Sequence, residues 1–392
     1  MDEAIEYDAQ HSLKSAKGSL SGRSPRFTVA EAIDEWAEVQ AADEGTVSVY
    51  LGLLQPVKDA HGDLPVRKLH DVQISRLAKQ LHAGTFPYVS PAGNKRDPWC
   101  AALVNKMLSR LTAVLERLRN QGFTDHNAAA SVPRMSTKRT AVASATKRET
   151  FTLDEVAVIL NAAVARGLNL FIVCLLAFLG LRKGEIGGLE WDRVDLKNGR
   201  MWVLEQRKRN RRNKSERAEG EGATLTDAVK TEASARELPI PPTVVAVLKL
   251  VRQWQREMHL ATGKRWGVDG GLPTHVVVNQ RTGGPVCSDY AWYRWAELVT
   301  KLPVVYLTLH KARKTCGTQL ALQPGIGPHH VGAWLGHEAQ GSIASPVTGV
   351  YIDADDEFRQ AACEAWEVVF GPIVTLCDTP GVYQRVKAQL SA

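Results

Sequence analysis

Paired cysteines are missing from this sequence: its six (Cys100, Cys174, Cys287, Cys316, Cys363, Cys377) are dispersed, with no C-x-x-C pair. Neither a disulfide framework nor a zinc site is favoured, and the thiols read as reduced packing residues. Long apolar runs are missing as well. The longest, Leu170 to Leu179, is far short of the roughly 20 residues a membrane helix needs, and no charged-then-apolar start marks secretion. The expectation is a soluble, cytoplasmic chain with no membrane partner. The sequence also lacks a Gly-rich phosphate loop with a following Lys, an H-E-x-x-H and a run of acids spaced for magnesium. Nucleotide-driven and metal-driven chemistry are unsupported, so neither a cofactor nor a metal is expected. No internal repeat is found.

What the sequence does have is length and an excess of base. Its 392 residues, 23% charged and 44% hydrophobic, suit a folded protein of two domains rather than a disordered or fibrous one. Lys plus Arg total 49 against 42 acids, a net charge of +7 that leans toward a polyanionic partner without requiring one.

Residues 1–26 are polar, with four acids against four bases, and read as a flexible, electrically neutral lead. Residues 27–130 read as a helical domain. Thr28 and Glu31 form a capping box, after which Val29, Ala32, Ile33 and Trp36 share a face. Helical patterns follow over Thr46 to Val57, Asp71 to Leu81 and Ala101 to Gln121, with a turn at Gly62–Pro65. In the last of these, Leu103, Met107, Leu111, Val114, Leu115 and Leu118 form the apolar stripe.

Residues 131–150 break the pattern and carry Arg134, Lys138, Arg139, Lys147 and Arg148 against a single acid, Glu149. They read as a basic linker suited to lie along a DNA backbone. A second domain spans 151–370 and opens on a capping box of Thr152 and Glu155, with Phe151 placed to staple onto Val156. It continues with an apolar helix, Leu168 to Leu179, and with short strands near Arg200–Leu204 and Glu237–Ile240 that pair as a small hairpin. Between the strands lies a run from Arg207 to Lys214, including Lys208, Arg209, Arg211 and Arg212, which reads as too hydrophilic to pack; it is either a solvated loop or a DNA contact. Helices are expected again from Pro241 to Thr262, Ser288 to Leu298 and His310 to Leu322. Residues 371–392 read as a C-terminal tail.

Four polar sets end apolar stretches. Arg182 precedes Glu185 by three residues, which lets the carboxylate hold the guanidinium. His310 and Arg313 share a helical face. His337 follows Trp334-Leu335-Gly336 at a helix end, and Tyr351 follows Val347-Thr348-Gly349-Val350. Singly, each reads as an ion pair, a packed ring or a capping histidine.

Together, in this order, they resemble the tyrosine recombinase (phage integrase) family. LGLRKGEIGGLEW, Leu179 to Trp191, is similar to its first arginine box, and LTLHKARKTCGTQLALQPGIGPHHVGAWLGH, Leu307 to His337, to its second. The resemblance extends from Phe27 to about Phe370 and implies a mainly α fold: a helical core-binding domain, then a larger, mostly helical catalytic domain with a small antiparallel sheet. It implies Arg182, Arg313, His310 and His337 as catalytic residues, Tyr351 as nucleophile and Glu185 in support. Lys230, in VKTEASARELP, takes the hairpin lysine position, with Lys208 or Lys214 as competitors.

Two departures stand out: Lys314 follows the second arginine where histidine is common, and Gly341 to Pro346 lengthen the spacing before Tyr351, leaving Tyr383 as the alternative nucleophile. The resemblance implies cleavage and rejoining at double-stranded DNA attachment sites without metal or ATP, through a 3′-phosphotyrosyl link and a Holliday junction, by a homotetramer. It also leaves room for an accessory DNA-bending or directionality factor. Integration or excision of a phage or other mobile element is the expected task of such a bacterial or phage-encoded, nucleoid-associated protein. A type IB topoisomerase-like activity and a catalytically inert DNA-binding relative are the alternatives. The apolar stripe of Phe358, Ala362, Ala365, Trp366 and Val369 suits either its own domain or a neighbouring protomer.

Overall fold

The computed structural model describes residues 26–42, 44–86, 97–137, 148–209, 224–228, 235–336 and 351–391, and the chain divides into two compact units, Met1–Ser144 and Ala145–Ala392. Among the described residues, no helix is long and apolar enough to cross a membrane.

The first unit is built from α1 (Val29–Glu38), α2 (Glu44–His61), α3 (Asp71–Ala83) and α4 (Ala101–Asn120). The capping box at the start of α1 forms as expected: the Glu31 N–H donates to Thr28 Oγ1 at 3.3 Å, and the Thr28 N–H donates to Glu31 Oε2 at 2.8 Å. Val29, Ala32, Ile33 and Trp36 are buried behind it. On α4 the buried stripe includes Val104 and Leu108, and Leu103 is only half-buried at its margin. Residues 131–135, expected in the linker, fold with this unit instead. Val132 is buried, Asn105 Nδ2 donates to Met135 O at 2.8 Å, and the Met135 N–H donates back to Asn105 Oδ1 at 2.9 Å. An asparagine that satisfies both backbone groups of one residue holds that segment in place.

The second unit surrounds one helix. It runs α5 (Leu153–Ala165), α6 (Leu168–Phe178), α7 (Lys183–Gly188), β1 (Val194–Asp195), β2 (Arg200–Val203), β3 (Glu205–Arg209), β4 (Thr224–Ala228), β5 (Arg236–Pro239), α8 (Pro242–Thr262), α9 (Ser288–Val299), α10 (Leu309–Ala321), α11 (Pro328–Leu335), α12 (Tyr351–Thr375) and α13 (Thr379–Ser391). Every residue of α6 is buried. A helix apolar on all sides must be enclosed, and α5, α8, α10 and α13 enclose it. Its C-terminal end is pinned by indoles: Trp366 Nε1 donates to Phe178 O at 3.0 Å, and Trp334 Nε1 to Leu179 O at 2.8 Å.

The strands correct the sequence reading in one respect. β1, β2 and β5 form an antiparallel sheet in that order, and the basic run between β2 and β5 is itself partly a strand. β3 pairs with β4, with Arg207 opposite Thr226 and Lys208 opposite Leu225. Backbone hydrogen bonds carry such a ribbon without apolar side chains. β3 also lies against α7 so closely that a Cβ on Gly188 would stand 2.8 Å from Glu205 O, which only glycine allows.

The boundary expected at residue 370 has no counterpart, since α12 runs through it. Val374, Cys377, Val382 and Tyr383 join the core, and α13 packs on α8. The described part of 371–392 thus continues the unit, with some of its apolar side chains in the core and others, such as Leu376, exposed. Of the expected stripe, Ala362 and Trp366 are buried, and Phe358, Ala365 and Val369 are half-buried.

Candidate active site

Three arginines meet at the C-terminal end of α11. A helix leaves its last carbonyls without intrahelical partners and with partial negative charge. Here Arg236 Nε donates to Trp334 O at 3.0 Å, Arg313 Nη2 donates to Leu335 O, and Arg182 Nη2 donates to Gly336 O at 2.9 Å. Three consecutive carbonyls are therefore capped by guanidinium groups from β5, α10 and the start of α7. Gly336 turns the chain at φ 63°, immediately before the position of His337.

One carboxylate holds the arginines from the other side. Glu185 is buried, and its Oε1 accepts from Arg182 Nη1 at 2.7 Å. Its Oε2 accepts from the Arg182 N–H at 2.9 Å and from Arg236 Nη2 at 3.1 Å, and it lies 4.0 Å from Arg313 Nη1. Burial alone would raise the Glu185 pKa, but the charge and hydrogen bonds of Arg236, followed by those of Arg182, outweigh it and hold the pKa below the ordinary value. Among the described residues, one carboxylate meets three guanidinium groups here, a setting suited to an anion.

The arginines differ in access. Arg313 is buried, and its Nη1 also donates to Gly180 O, which a φ of 102° turns toward it. Desolvation first, then the charges of Arg182 and Arg236 against the opposing pull of Glu185, lower its pKa to about 9, so it stays protonated at neutral pH. A guanidinium has five N–H donors; two nitrogens of Arg313 serve carbonyls, and N–H groups remain for a ligand. The Arg182 side chain is 33% exposed and forms the open edge of the cluster. His310 is exposed as a residue, yet partial burial of its ring and then the charges of Arg313, Lys311, Arg182 and Lys314 lower its pKa below the usual imidazole value.

The remaining expected residues divide into those the structure describes and those it does not. Lys230, His337, Lys214, Lys138, Arg139, Lys147, Arg211, Arg212 and the stretch Gly341 to Pro346 lie outside the described residues. Tyr351 begins α12, but its side chain is outside the described part as well. Tyr383, the alternative nucleophile, is buried and donates to Glu257, and burial followed by that partner pushes its pKa up to about 12.

Among the basic residues expected on DNA, several have protein partners. Arg134 Nη2 donates to Thr112 Oγ1 at 3.2 Å, and Arg148 Nη1 to Glu155 Oε1 at 2.9 Å. Arg207 Nε donates to Val286 O at 3.1 Å, so Arg207 is a half-buried strand residue rather than part of a solvated loop. Lys208 and Arg209 lie on the same strand, and Lys208 therefore has the strand register that its sequence context did not suggest.

Arg236 is the residue the sequence reading missed. It alternates with buried Leu238 on the inward face of β5, where an arginine survives only with partners. The signal was present, since a lone basic residue breaks an otherwise apolar strand register, but its carboxylate partner is 51 residues away.

A mostly helical unit with a small antiparallel sheet is the fold this chain shares with integrases of known structure. Among solved structures, this chain is similar to the Tn1549 transposon integrase in complex with a circular intermediate DNA (TM-score 0.60, 17% identity, 79% of this chain and 91% of that one). It is also similar to a lambda integrase dimer bound to a COC′ core site (TM-score 0.53, 14% identity, 80% and 96%). A third similar structure is a lambda integrase tetramer bound to a Holliday junction (TM-score 0.54, 14% identity, 86% and 78%). The model of the phage integrase family matches residues 149–356, more than half of the chain, and the chain belongs to that family. It is 29% identical over 201 residues to a tyrosine recombinase XerC-like protein of Caldanaerobacter subterraneus subsp. tengcongensis, covering 49% of this chain. That match spans 48% of the relative, about half its length.

Proposed function

We propose that this protein is a site-specific tyrosine recombinase that cuts and rejoins double-stranded DNA through a 3′-phosphotyrosyl intermediate. The observation that carries the reading is the gathering of Arg182 and Arg313, 131 residues apart in sequence, onto Glu185 and the carbonyls that precede His337.

A phosphodiester gains negative charge on its equatorial oxygens as a nucleophile enters, so fixed guanidinium donors stabilise the transition state more than the ground state. Arg182, Arg313 and His337 take that role. The Tyr351 hydroxyl attacks phosphorus, its proton passes to His310, and the bond from phosphorus to the 5′ oxygen breaks. Lys230 gives that oxygen its proton. The product is a phosphotyrosine on the 3′ side and a free 5′ hydroxyl, and the bond energy kept in the ester drives rejoining without metal or ATP. Pairwise exchange through a Holliday junction needs four protomers on two duplexes, as a homotetramer. Integration or excision of a mobile element at its attachment sites, with an accessory bending or directionality factor, is the task that fits. The linker bases, Arg207, Lys208, Arg209, Arg211 and Arg212 contribute backbone contacts.

A suicide substrate built on the repeats flanking the gene, incubated in EDTA, tests the chemistry. The wild type should form a covalent adduct and Tyr351→Phe none. Tight binding without an adduct would instead mark an inert DNA-binding relative. Relaxation of supercoiled plasmid lacking the repeats would mark a topoisomerase.

The lowered His310 pKa sets a pH dependence. A base must be neutral to accept a proton, so single-turnover cleavage should fall as pH drops through the folded His310 pKa, which lies below the usual imidazole value, and level off at neutral pH. In His310→Ala that inflection should disappear and the plateau rate should fall by about 10²–10⁴. An unchanged profile would remove His310 from the proton transfer.

A further inference from the structure

Glu149 and two lysines of α10 lie beside the arginine cluster, and no step of the proposed chemistry uses them. The chain entering the second unit is fixed along α10: the Phe151 N–H donates to Thr315 Oγ1 at 2.9 Å, and that hydroxyl donates to Lys311 O at 2.8 Å. Just upstream, Arg148 is held by Glu155 and by Thr150 O, the latter at 3.0 Å from its Nε. Glu149 is thereby set over the lysines. Its Oε2 accepts from Lys311 Nζ and, at 3.1 Å, from Lys314 Nζ. One anionic oxygen shared by two ammonium groups three residues apart on a helix is also the geometry in which a pair of lysines takes a phosphate oxygen.

We propose that Lys311 and Lys314 form a clamp for a DNA backbone phosphate next to the cleavage site, and that the Glu149 carboxylate occupies it until DNA displaces it. The inference rests on the recombinase reading and extends it to a contact and a self-blocking group. All three side chains remain in touch with water, at 24%, 48% and 34% exposure for Lys311, Lys314 and Glu149, so a duplex can reach the lysines. Exposed ion pairs are weak, whereas a phosphate that replaces the carboxylate also releases counterions from DNA. The exchange conserves charge at the lysines and returns Glu149 to solvent. Hydrogen bonds from Lys311 and then Lys314 hold the Glu149 pKa at about 2, so it stays ionised at any ordinary pH. Competition by phosphate or salt opens the clamp. The placement of Lys314 gives a use to the base that stands where the family commonly has histidine.

The test is equilibrium binding of the full chain to a labelled duplex of random sequence, between about 50 and 200 mM salt, with thermal unfolding of each variant recorded. Glu149→Gln should tighten binding by about threefold to tenfold. The double variant Lys311→Gln/Lys314→Gln should weaken it and reduce the slope of log affinity against log salt by about one to two, while Lys311→Arg/Lys314→Arg keeps the slope. Adding Glu149→Gln to the glutamine double variant should then change nothing. Equal or weaker binding by Glu149→Gln overturns the proposal. So does the same tightening in the triple variant, because that is a general charge effect. If the wild type binds and forms its Tyr351 adduct while the variants bind alike, only the clamp is lost; if the wild type binds no duplex at all, the recombinase reading falls with it.

Discussion

Replacing Glu185 with glutamine is expected to destabilise the second unit by ~3–5 kcal/mol, because it removes the buried carboxylate that, among the described residues, three guanidinium groups share, while leaving two of them buried. For a unit of this size that corresponds to a loss of roughly 6–20 °C in Tm. Arg236→Met should cost a comparable amount, since it leaves Glu185 buried with less compensation. The double variant should be far less damaged than the sum, because the two share one network. Calorimetry of the four proteins measures this, and additive losses would show that Glu185 and Arg236 are not coupled.

Acid titration gives the same pair a second readout. The folded Glu185 pKa lies below its ordinary value. Such a group contributes stability above its unfolded pKa and loses it as pH falls through the folded one. The wild type should therefore lose stability on acidification through and below the ordinary carboxylate range, and Glu185→Gln should lack that component.

The second large effect concerns chemistry and not folding. Arg182→Gln should slow formation of the covalent adduct by about 10²–10³, the usual loss when one donor to a developing oxyanion is removed. Duplex affinity should change only slightly, as a single phosphate contact is one among many. Stability should hold because Arg236 still neutralises Glu185. Arg182→Lys should recover little, since a point charge does not replace a fork that spans Glu185 and Gly336 O. Single-turnover cleavage on the suicide substrate separates these outcomes, and equal losses in affinity and rate would place Arg182 in binding alone.

The basic run after β2 shows where reading a sequence for side-chain chemistry fails. Arg207 to Arg209 carry no apolar side chain, so hydrophilicity argued for a loop, but strand pairing is a backbone property and the partner strand begins 15 residues beyond Arg209. The C-terminal stretch failed for a different reason. Its apolar residues were visible, but whether they cover their own α8 or another protomer depends on a packing partner more than 100 residues away.

The sequence by itself determined most of the helices, their caps at Thr28 and Thr152 and the enclosed α6, because each rests on contacts within a few residues, while the two arginine boxes were legible through their resemblance to a family. Only the tertiary structure decided that Arg236 belongs with Arg182 and Arg313, that Tyr383 is sealed and that Glu149 covers Lys311 and Lys314. Those facts depend on which distant groups meet in space, and the charge and contacts of each are governed by neighbours in three dimensions, which linear spacing does not reveal.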